Sequence, residues 1–524
     1  MRISLILTTA LPLLAQQWIY NYNGSSDSTD LGISVVLGDD GNIYAAGIGH
    51  NQNRGFDYLI VGVDPGGNER WVYAYNGTGI LMDGAVDVYW GKDGNIYSTG
   101  YAQFIATSVD LLAVSLTPDG SERWVYRYNG PGTLYDVGYS IIYGDDGNIY
   151  LAGGSMGIGS SCDYTVISLN RFGNRRWIYR LNGSGNDFDA AFVLCFGIDG
   201  NIYTAGILSN QNDCDIAVIS FDPGGNERWR YILDSGYGDD TPAAIVFGKD
   251  GNIYLGGYLH TSSDDVDALI FSLTTGGQER WRYTFDNGSN DQVCDLIYGS
   301  DNNLYAVGRT YHNSTNYDLL LFSLDLNGNE LWLKEWDGQD HSFDEGKTIS
   351  EGGANLYIAG TTTKGGNYDF LAMEWTKSGV VSAIYTLSGT SDDNDEATSV
   401  CANSDNFFVT GYLMNNQTHE DLVVASFPQL EVAEKNTPRS EIMITPTVFT
   451  DRLIIHFSEP LRSELTLKLF NCSGSLVYHK TFILPGAKTF VTDPDLAKLS
   501  HGVYFMMVKE GKNLFRVKLI KGGE

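Results

Sequence analysis

The four residues Gly41-Asn42-Ile43-Tyr44 come back through most of the chain. They recur around Asn95, Asn148, Asn201 and Asn252, then as Asn302-Asn303-Leu304-Tyr305 and Ala354-Asn355-Leu356-Tyr357, and in worn form as Asp405-Asn406-Phe407-Phe408. The intervals are 53, 53, 53, 51, 51, 52 and 51 residues. A fixed period of this length means one supersecondary unit that buries its apolar face only against its copies.

Each unit reads as four short strands. In the first they cover residues 32–37, 42–47, 58–63 and 70–75. Asp40-Gly41 joins the first two, a pair that tolerates the positive φ of a tight hairpin. Asp64-Pro65-Gly66-Gly67-Asn68 joins the last two and is turn chemistry throughout. Four antiparallel strands repeated about an axis predict an all-β protein built as a β-propeller. Residue sizes fit wedge-shaped blades. The second strand carries Ala45, Ala46 and Gly47, and the fourth carries Trp71, Tyr73 and Tyr75 on one face. Trp18, Trp124, Trp177, Trp229, Trp281 and Trp332 share the place of Trp71 and read as fillers between the diverging outer strands.

There are eight runs of each strand type. The first run is an orphan outer strand at Trp18–Tyr22, and the last is a third strand at 421–427 with no partner after it. Pairing the two closes a ring of eight blades and removes the open sheet edge; seven blades result if the worn last repeat stands outside the ring. The repeat pattern, Asp-Gly-Asn-Ile-Tyr followed by an Asp-led apolar strand and Gly-Asn-Glu-Arg-Trp, resembles the SBBP-type β-propeller repeat of bacterial exported proteins over roughly residues 18–427. That family has no single activity, so the resemblance implies the fold alone.

Residues 431–440 change texture and read as a linker. Residues 441–524 alternate again. Thr445-Pro446, the run from Leu469 to Tyr478, Leu499-Ser500-His501-Gly502-Val503-Tyr504-Phe505 and Arg516-Val517-Lys518-Leu519-Ile520-Lys521 resemble the C-terminal type A sorting domain of the type IX secretion system. Thr445 stands where that pattern usually has Asn. The resemblance implies a small β-sandwich that engages the type IX secretion machinery and takes the chain to the outer cell surface or the medium.

The opposite end agrees with export. Met1-Arg2, an apolar run from Ile3 to Ala15 and then Gln16 describe a signal peptide over residues 1–15, leaving a propeller over 16–430. No stretch is long and apolar enough for a membrane span. The net charge is −31, and residues 431–524 are slightly basic, so the acidity belongs to the repeats. Such a body repels nucleic acid and attracts cations or basic partners. Six cysteines are too few for a disulfide scaffold. Cys162 and Cys214 occupy equivalent loops, where a bridge requires the Cα atoms within ~7 Å.

No metalloprotease, nucleophile-elbow or paired-cysteine motif occurs, and no catalytic residue or organic cofactor is assigned. The Asp before each third strand (Asp57, Asp110, Asp163, Asp215, Asp267, Asp318, Asp369, Asp421) and the Asp before most first strands (Asp30, Asp83, Asp136, Asp189, Asp344, Asp395) read as turn caps, because a residue present in every repeat is not a unique site. Function is expected where repeats differ, in the loops joining second to third strand and blade to blade. Candidate ligand-binding residues there are His50, His260, Asp264, Asp265, Tyr311 and His312. Asp239-Asp240, Ser263-Asp264-Asp265 and 391–395 offer hard oxygens to Ca²⁺, without any EF-hand spacing. The reading is an exported, non-enzymatic binding or structural module for a protein or glycan ligand. The alternative is a secreted propeller enzyme acting on a polysaccharide or an alcohol.

Overall fold

The computed structural model describes residues 18–52, 55–78, 82–262, 265–391 and 393–428, and, in the C-terminal part, 442–445, 448–449, 454–457, 465–471, 476–482, 489–491, 499, 502–510 and 513–521. The signal-peptide and linker stretches, Ser263, Asp264, Asp392 and Cys472 lie outside them. The chain divides into two compact units, Met1–Leu430 and Glu431–Glu524.

The first unit is a ring of eight four-stranded antiparallel sheets. Blade 1 consists of Leu31–Leu37, Ile43–Asn51, Gly55–Val63 and Glu69–Tyr75, in that order from axis to rim. Successive first strands pack side by side, and Glu396–Ala402 of blade 8 packs against Leu31–Leu37 of blade 1. Blade 8 takes its outer strand from the start of the chain: Trp18 pairs with Ser426, Tyr20 with Val424 and Tyr22 with Leu422. The closure expected from the strand count is therefore present, with eight blades.

The repeated motifs explain how blades adhere. The buried Tyr of each Asn-Ile-Tyr donates its hydroxyl back to the hairpin Asp, as Tyr44 does to Asp40 at 2.6 Å and Tyr203 to Asp199 at 2.6 Å. The Arg before the outer-strand Trp then donates to that Tyr and to a third-strand Ser. Arg228 reaches Tyr203 at 3.3 Å and Ser220 at 2.8 Å.

The tryptophans do more than fill the wedge. Each indole N–H donates to a carbonyl in the next blade's outer turn: Trp18 to Pro65, Trp71 to Pro118, Trp124 to Arg171, Trp177 to Pro223, Trp229 to Thr275, Trp281 to Leu326 and Trp332 to Lys377, all at 2.8–3.1 Å. The ring lies against the turn's positive-φ glycine, where a Cβ at Gly225 would stand 2.5 Å from Trp177. Two residues further along the same strand, on the same face, a Tyr hydroxyl reaches the next blade's Glu, as in Tyr20–Glu69 (2.7 Å) and Tyr73–Glu122 (2.8 Å).

The second unit has a three-stranded sheet from Ile442–Thr445, Ile454–Phe457 and Thr489–Val491, and a five-stranded sheet. In the latter, Leu465–Asn471 sits between Leu476–Phe482 and Gly502–Glu510, with Asn513–Lys521 next and Val448–Phe449 parallel to it at the edge. Leu465, Leu467, Leu469 and Val508 are fully buried, which is the alternating pattern of one face of a small β-sandwich.

The clamp makes a direct prediction. Gly225→Ala, with φ of +87° and an indole in the way, should cost about 2 kcal/mol or more in chemical denaturation. The neighbouring Gly224→Ala, which meets nothing closer than 3.1 Å, should stay within about 0.5 kcal/mol of wild type. Deleting Trp18–Tyr22 should lower the midpoint further, because it reopens a sheet edge.

Candidate functional site

One rim of the propeller carries the uniform turns and the clamps just described. The other carries the loops from second to third strand and from blade to blade, and two rings of aspartates underlie it.

The first ring stands before the first strands. Six of its members accept two backbone N–H groups each: one from the loop arriving from the preceding blade and one from the end of their own second strand. Asp30 takes Gly24 (2.6 Å) and His50 (2.7 Å), and Asp240 takes Ser235 (2.7 Å) and His260 (2.8 Å). Asp83, Asp136, Asp189 and Asp395 repeat the arrangement. Asp344 takes Gly338 N–H and the Thr362 hydroxyl, and Asp291 takes Asn287 N–H. Asp240 and Asp291 are full members that the sequence reading left out. All eight are buried. Burial outweighs the donors and pushes Asp30 up to about 7, and Asp83, Asp291, Asp344 and Asp395 up to about 6.

The second ring, before the third strands, is also buried. Its donors are side chains rather than the backbone of its own turn, which corrects the turn-cap expectation. Asn51 (2.6 Å) and Asn76 (2.5 Å) serve Asp57. Arg127 and Thr107 serve Asp110, and Arg180 (2.5 Å) serves Asp163. Asn210 (2.9 Å) serves Asp215, Thr261 (3.0 Å) Asp267 and Thr315 (3.2 Å) Asp318. Lys364 lies 3.6 Å from Asp369, and Asn415 (2.8 Å) serves Asp421.

Three consecutive blades break this second pattern by adding acids. In blade 4, Asp213, Asp215 and Asp234 bring carboxylate oxygens within 4.8 Å of one another; Asp265, Asp267 and Asp286 do so in blade 5, and Asp318 and Asp337 of blade 6 do so with Asp344, the first-ring aspartate of blade 7. Burial, with the neighbouring carboxylates adding to it, holds Asp215 and Asp318 at about 6. His312 Nε2 stands 3.4 Å from Glu335 and 3.8 Å from Asp318, and His341 Nδ1 stands 2.5 Å from Asp337. Asp337 raises the pKa of His341.

Beside this group Arg309 pairs with Glu345 (3.1 Å) and Gln292 (2.8 Å), and its guanidinium lies 4.7 Å over Tyr317. Tyr311, Tyr317, Phe343 and Tyr368 form a ladder of rings at 5.1, 5.7 and 5.1 Å.

The candidate residues fall on three blades. His50 is on blade 1, its ring 2.5 Å from Ser26 and edge-on to Phe56 at 4.9 Å. His260 and Asp265 are on blade 5, His260 against the Asp239 carbonyl at 2.6 Å. Tyr311 and His312 are on blade 6, and Asp264 is outside the described residues. Of the proposed Ca²⁺ carboxylates, Asp239 accepts Cys214 N–H (2.8 Å), and Asp240 and Asp395 are members of the first ring. Cys162 and Cys214 are free thiols: Cys162 is buried under Gly154, and Cys214 turns to the Phe188 carbonyl at 3.8 Å. Burial pushes them up to about 12 and about 11, which leaves them protonated and unreactive.

Residues 444–522 match the family described as the secretion system C-terminal sorting domain. No curated protein sequence matches the chain. Among solved structures, the chain is similar to PorZ of Porphyromonas gingivalis, an essential bacterial surface component of the type-IX secretion system. The two share 12% identity over 93% of this chain and 74% of PorZ, with a TM-score of 0.30. The polysaccharide lyase Uly1 matches at 10% identity over 68% of this chain and 92% of its own, TM-score 0.42. An α-L-arabinofuranosidase of Fusarium graminearum matches at 13%, over 55% and 92%, TM-score 0.34. The chain carries a type IX sorting domain and is exported to the outer cell surface or secreted. Among the described residues no helix is long and apolar enough to cross a membrane.

The raised aspartates set a pH dependence. Their folded pKa values lie above the ~3.9 of an unfolded Asp, so between the two values the folded chain holds protons the unfolded chain has lost. That contribution is present at the low end and is lost as pH rises through about 6 to 7. Unfolding midpoints in metal-free buffer should therefore rise as pH is lowered from about 8 to about 5. A midpoint that falls over this interval would contradict the assignment.

Proposed function

We propose that the propeller is a non-enzymatic binding module displayed outside the cell, with its ligand face on the loop rim. The observation that carries this reading is an arc of exposed apolar side chains on adjoining loops of blades 2 to 4: Ile105 (85% exposed), Leu134, Tyr135, Ile158 (82%), Phe188 and Tyr237 (62%). The loops are tied to one another, Val109 N–H to Leu134 O at 2.9 Å, Met156 N–H to Tyr135 O at 3.1 Å and the Asn186 amide to Gly159 O at 3.0 Å. A fixed apolar arc is costly on a free surface and marks a contact site. Its mixture of aliphatic and aromatic side chains suits a protein partner. The acids pushed toward neutrality do not favour catalysis, because the first ring is buried and engaged by backbone donors.

A glycan ligand, and with it the enzymatic alternative, has one feature in its favour: the half-buried ladder Tyr311, Tyr317, Phe343 and Tyr368 beside Arg309. Flat aromatic faces accept sugar rings.

Two experiments test the reading. The mature chain is applied to protein and glycan arrays beside an Ile105→Ser/Ile158→Ser/Tyr237→Ser variant and a turn-rim control, Phe172→Ser/Ile198→Ser. The loop variant should lose at least tenfold in affinity for a protein ligand while the control keeps it. The reverse result would move the binding face to the other rim. Separately, a chain lacking residues 441–524 should fail to reach the surface or medium and accumulate inside the cell envelope, as fractionation and immunoblotting would record.

A further inference from the structure

We propose that the acidic pockets at the loop rim of blades 4 and 6 are divalent-cation sites suited to Ca²⁺. The pockets are Asp213, Asp215 and Asp234 in blade 4, and Asp318 and Asp337 of blade 6 with Asp344 at the start of blade 7, which also accepts from Gly338 and Thr362.

The repeat supplies its own control. The residue that follows the outer strand is Asn76 in blade 1, where its amide donates to Asp57, and Asn129 and Asn182 in blades 2 and 3. In blades 4 and 6 the same position is Asp234 and Asp337. Blades 2 and 3 also place a guanidinium on the buried aspartate, through Arg127 and Arg180. The matching outer-strand residues in blades 4 and 6 are Ile232 and Glu335. Blades 4 and 6, like blade 5 with Asp286, thus exchange the amide for a carboxylate, and none of them keeps the guanidinium.

A second observation is independent of the cluster. Asp215 and Asp318 are each 6% exposed, and in both the Oδ1 atom is buried without a hydrogen-bond partner; Asp337 Oδ1 is in the same condition. Buried carboxylate oxygens without donors are rare in folded proteins; Asp110, Asp163 and Asp421 of the same ring share the feature, but among the described residues no acid triad forms around them, and a guanidinium offsets the charge of the first two. The other oxygen is engaged, Asp215 Oδ2 by Asn210 and Asp318 Oδ2 by Thr315, so the carboxylate is oriented, and each brings one oxygen within 4.8 Å of the other two acids. Oxygens on a Ca²⁺ ion at 2.3–2.6 Å stand at most about 5 Å apart, and the 4.8 Å limit of these triads falls within that range. An all-oxygen donor set with water completing the shell suits Ca²⁺ over Zn²⁺, and weak sites of this kind function at extracellular concentrations. In blade 6 the His312 Nε2 atom, 3.8 Å from Asp318 and 3.4 Å from Glu335, lies beside the pocket as well. Blade 5 repeats the triad, but there Thr261 occupies the Oδ1 atom of Asp267, the oxygen left without a donor in Asp215 and Asp318, and it is not part of the proposal.

The test is calorimetric titration of the full mature chain with CaCl₂ at neutral pH, with MgCl₂ in parallel, and thermal unfolding in EDTA against millimolar Ca²⁺. Asp234→Asn and Asp337→Asn restore the amide that blade 1 uses, so they should fold; near-UV circular dichroism checks this. Each variant should remove one bound Ca²⁺, the double variant two, and the Ca²⁺-dependent rise in midpoint should shrink in step. If the double variant fails to fold, Asp213→Asn with the wild-type titration carries the same test. A wild-type chain with neither heat of binding nor a midpoint shift would overturn the proposal, as would a folded double variant binding as much Ca²⁺ as wild type. Equal binding of Mg²⁺ would overturn the assignment to Ca²⁺.

Discussion

The contact on which the ring depends is an indole laid against a glycine of the next blade. A β-sheet satisfies its own backbone within a blade, so hydrogen bonding alone leaves eight blades indifferent to one another. The Trp ring supplies apolar area across the gap, and its N–H fixes the register by reaching one carbonyl in the neighbour's turn. The turn has to be glycine for two reasons at once: the φ is positive, and a Cβ would occupy the space of the ring. Gly-Asn-Glu-Arg-Trp is therefore one device seen from both sides. Its glycine receives the preceding blade's Trp, its Glu receives that blade's Tyr, and its own Trp moves on to the next turn.

This clamp binds one rim to a uniform sequence and frees the other. On the free rim the chain meets a different problem, which is to hold long connections without regular secondary structure. The first aspartate ring solves it electrostatically, by gathering backbone N–H groups from two loops onto one buried carboxylate. The second ring is looser. Its donors are side chains, so each blade is free to choose Asn, Thr, Arg or Lys, and blades 4 to 6 place further acids there. Much of the chain's acidity is thus built into the loop rim rather than spread as a solubilising coat.

The architecture was legible because it repeats: strand count, hairpin chemistry and latch all follow from one period. What was hidden lies between strands or between blades. Trp177 and Pro223 are 46 residues apart, and no local pattern links them. Asp215 and Asp234 are adjacent only because a third strand and a fourth strand run antiparallel over the intervening turn. Asp240 and Asp291 were missed as ring members because the residues around them, Thr241-Pro242 and Gln292-Val293, depart from the small residues that mark the first strands elsewhere. His50 and His260 drew notice as chemical groups, yet the backbone N–H at those two positions is what the ring uses.

The latch also accounts for an irregularity that composition leaves unexplained. Blade 7 has Ala383 where the other seven outer strands have Trp. A Trp in blade 7 would need the outer turn of blade 8. Blade 8 has no such turn, because its third strand ends at Pro428 and its fourth begins the described chain at Trp18. With no glycine to receive it, an indole has no function at position 383. The seam is filled instead from within, by Tyr357, Phe407, Tyr385 and Phe427, whose successive rings stand 4.5, 5.8 and 4.6 Å apart; Tyr385 donates to the Pro428 carbonyl at 3.2 Å. Seven tryptophans for eight blades is the number that a ring closed by its own N-terminal strand requires. The worn form of the last repeat, with Phe407 in place of the usual Ile, follows from the same missing turn.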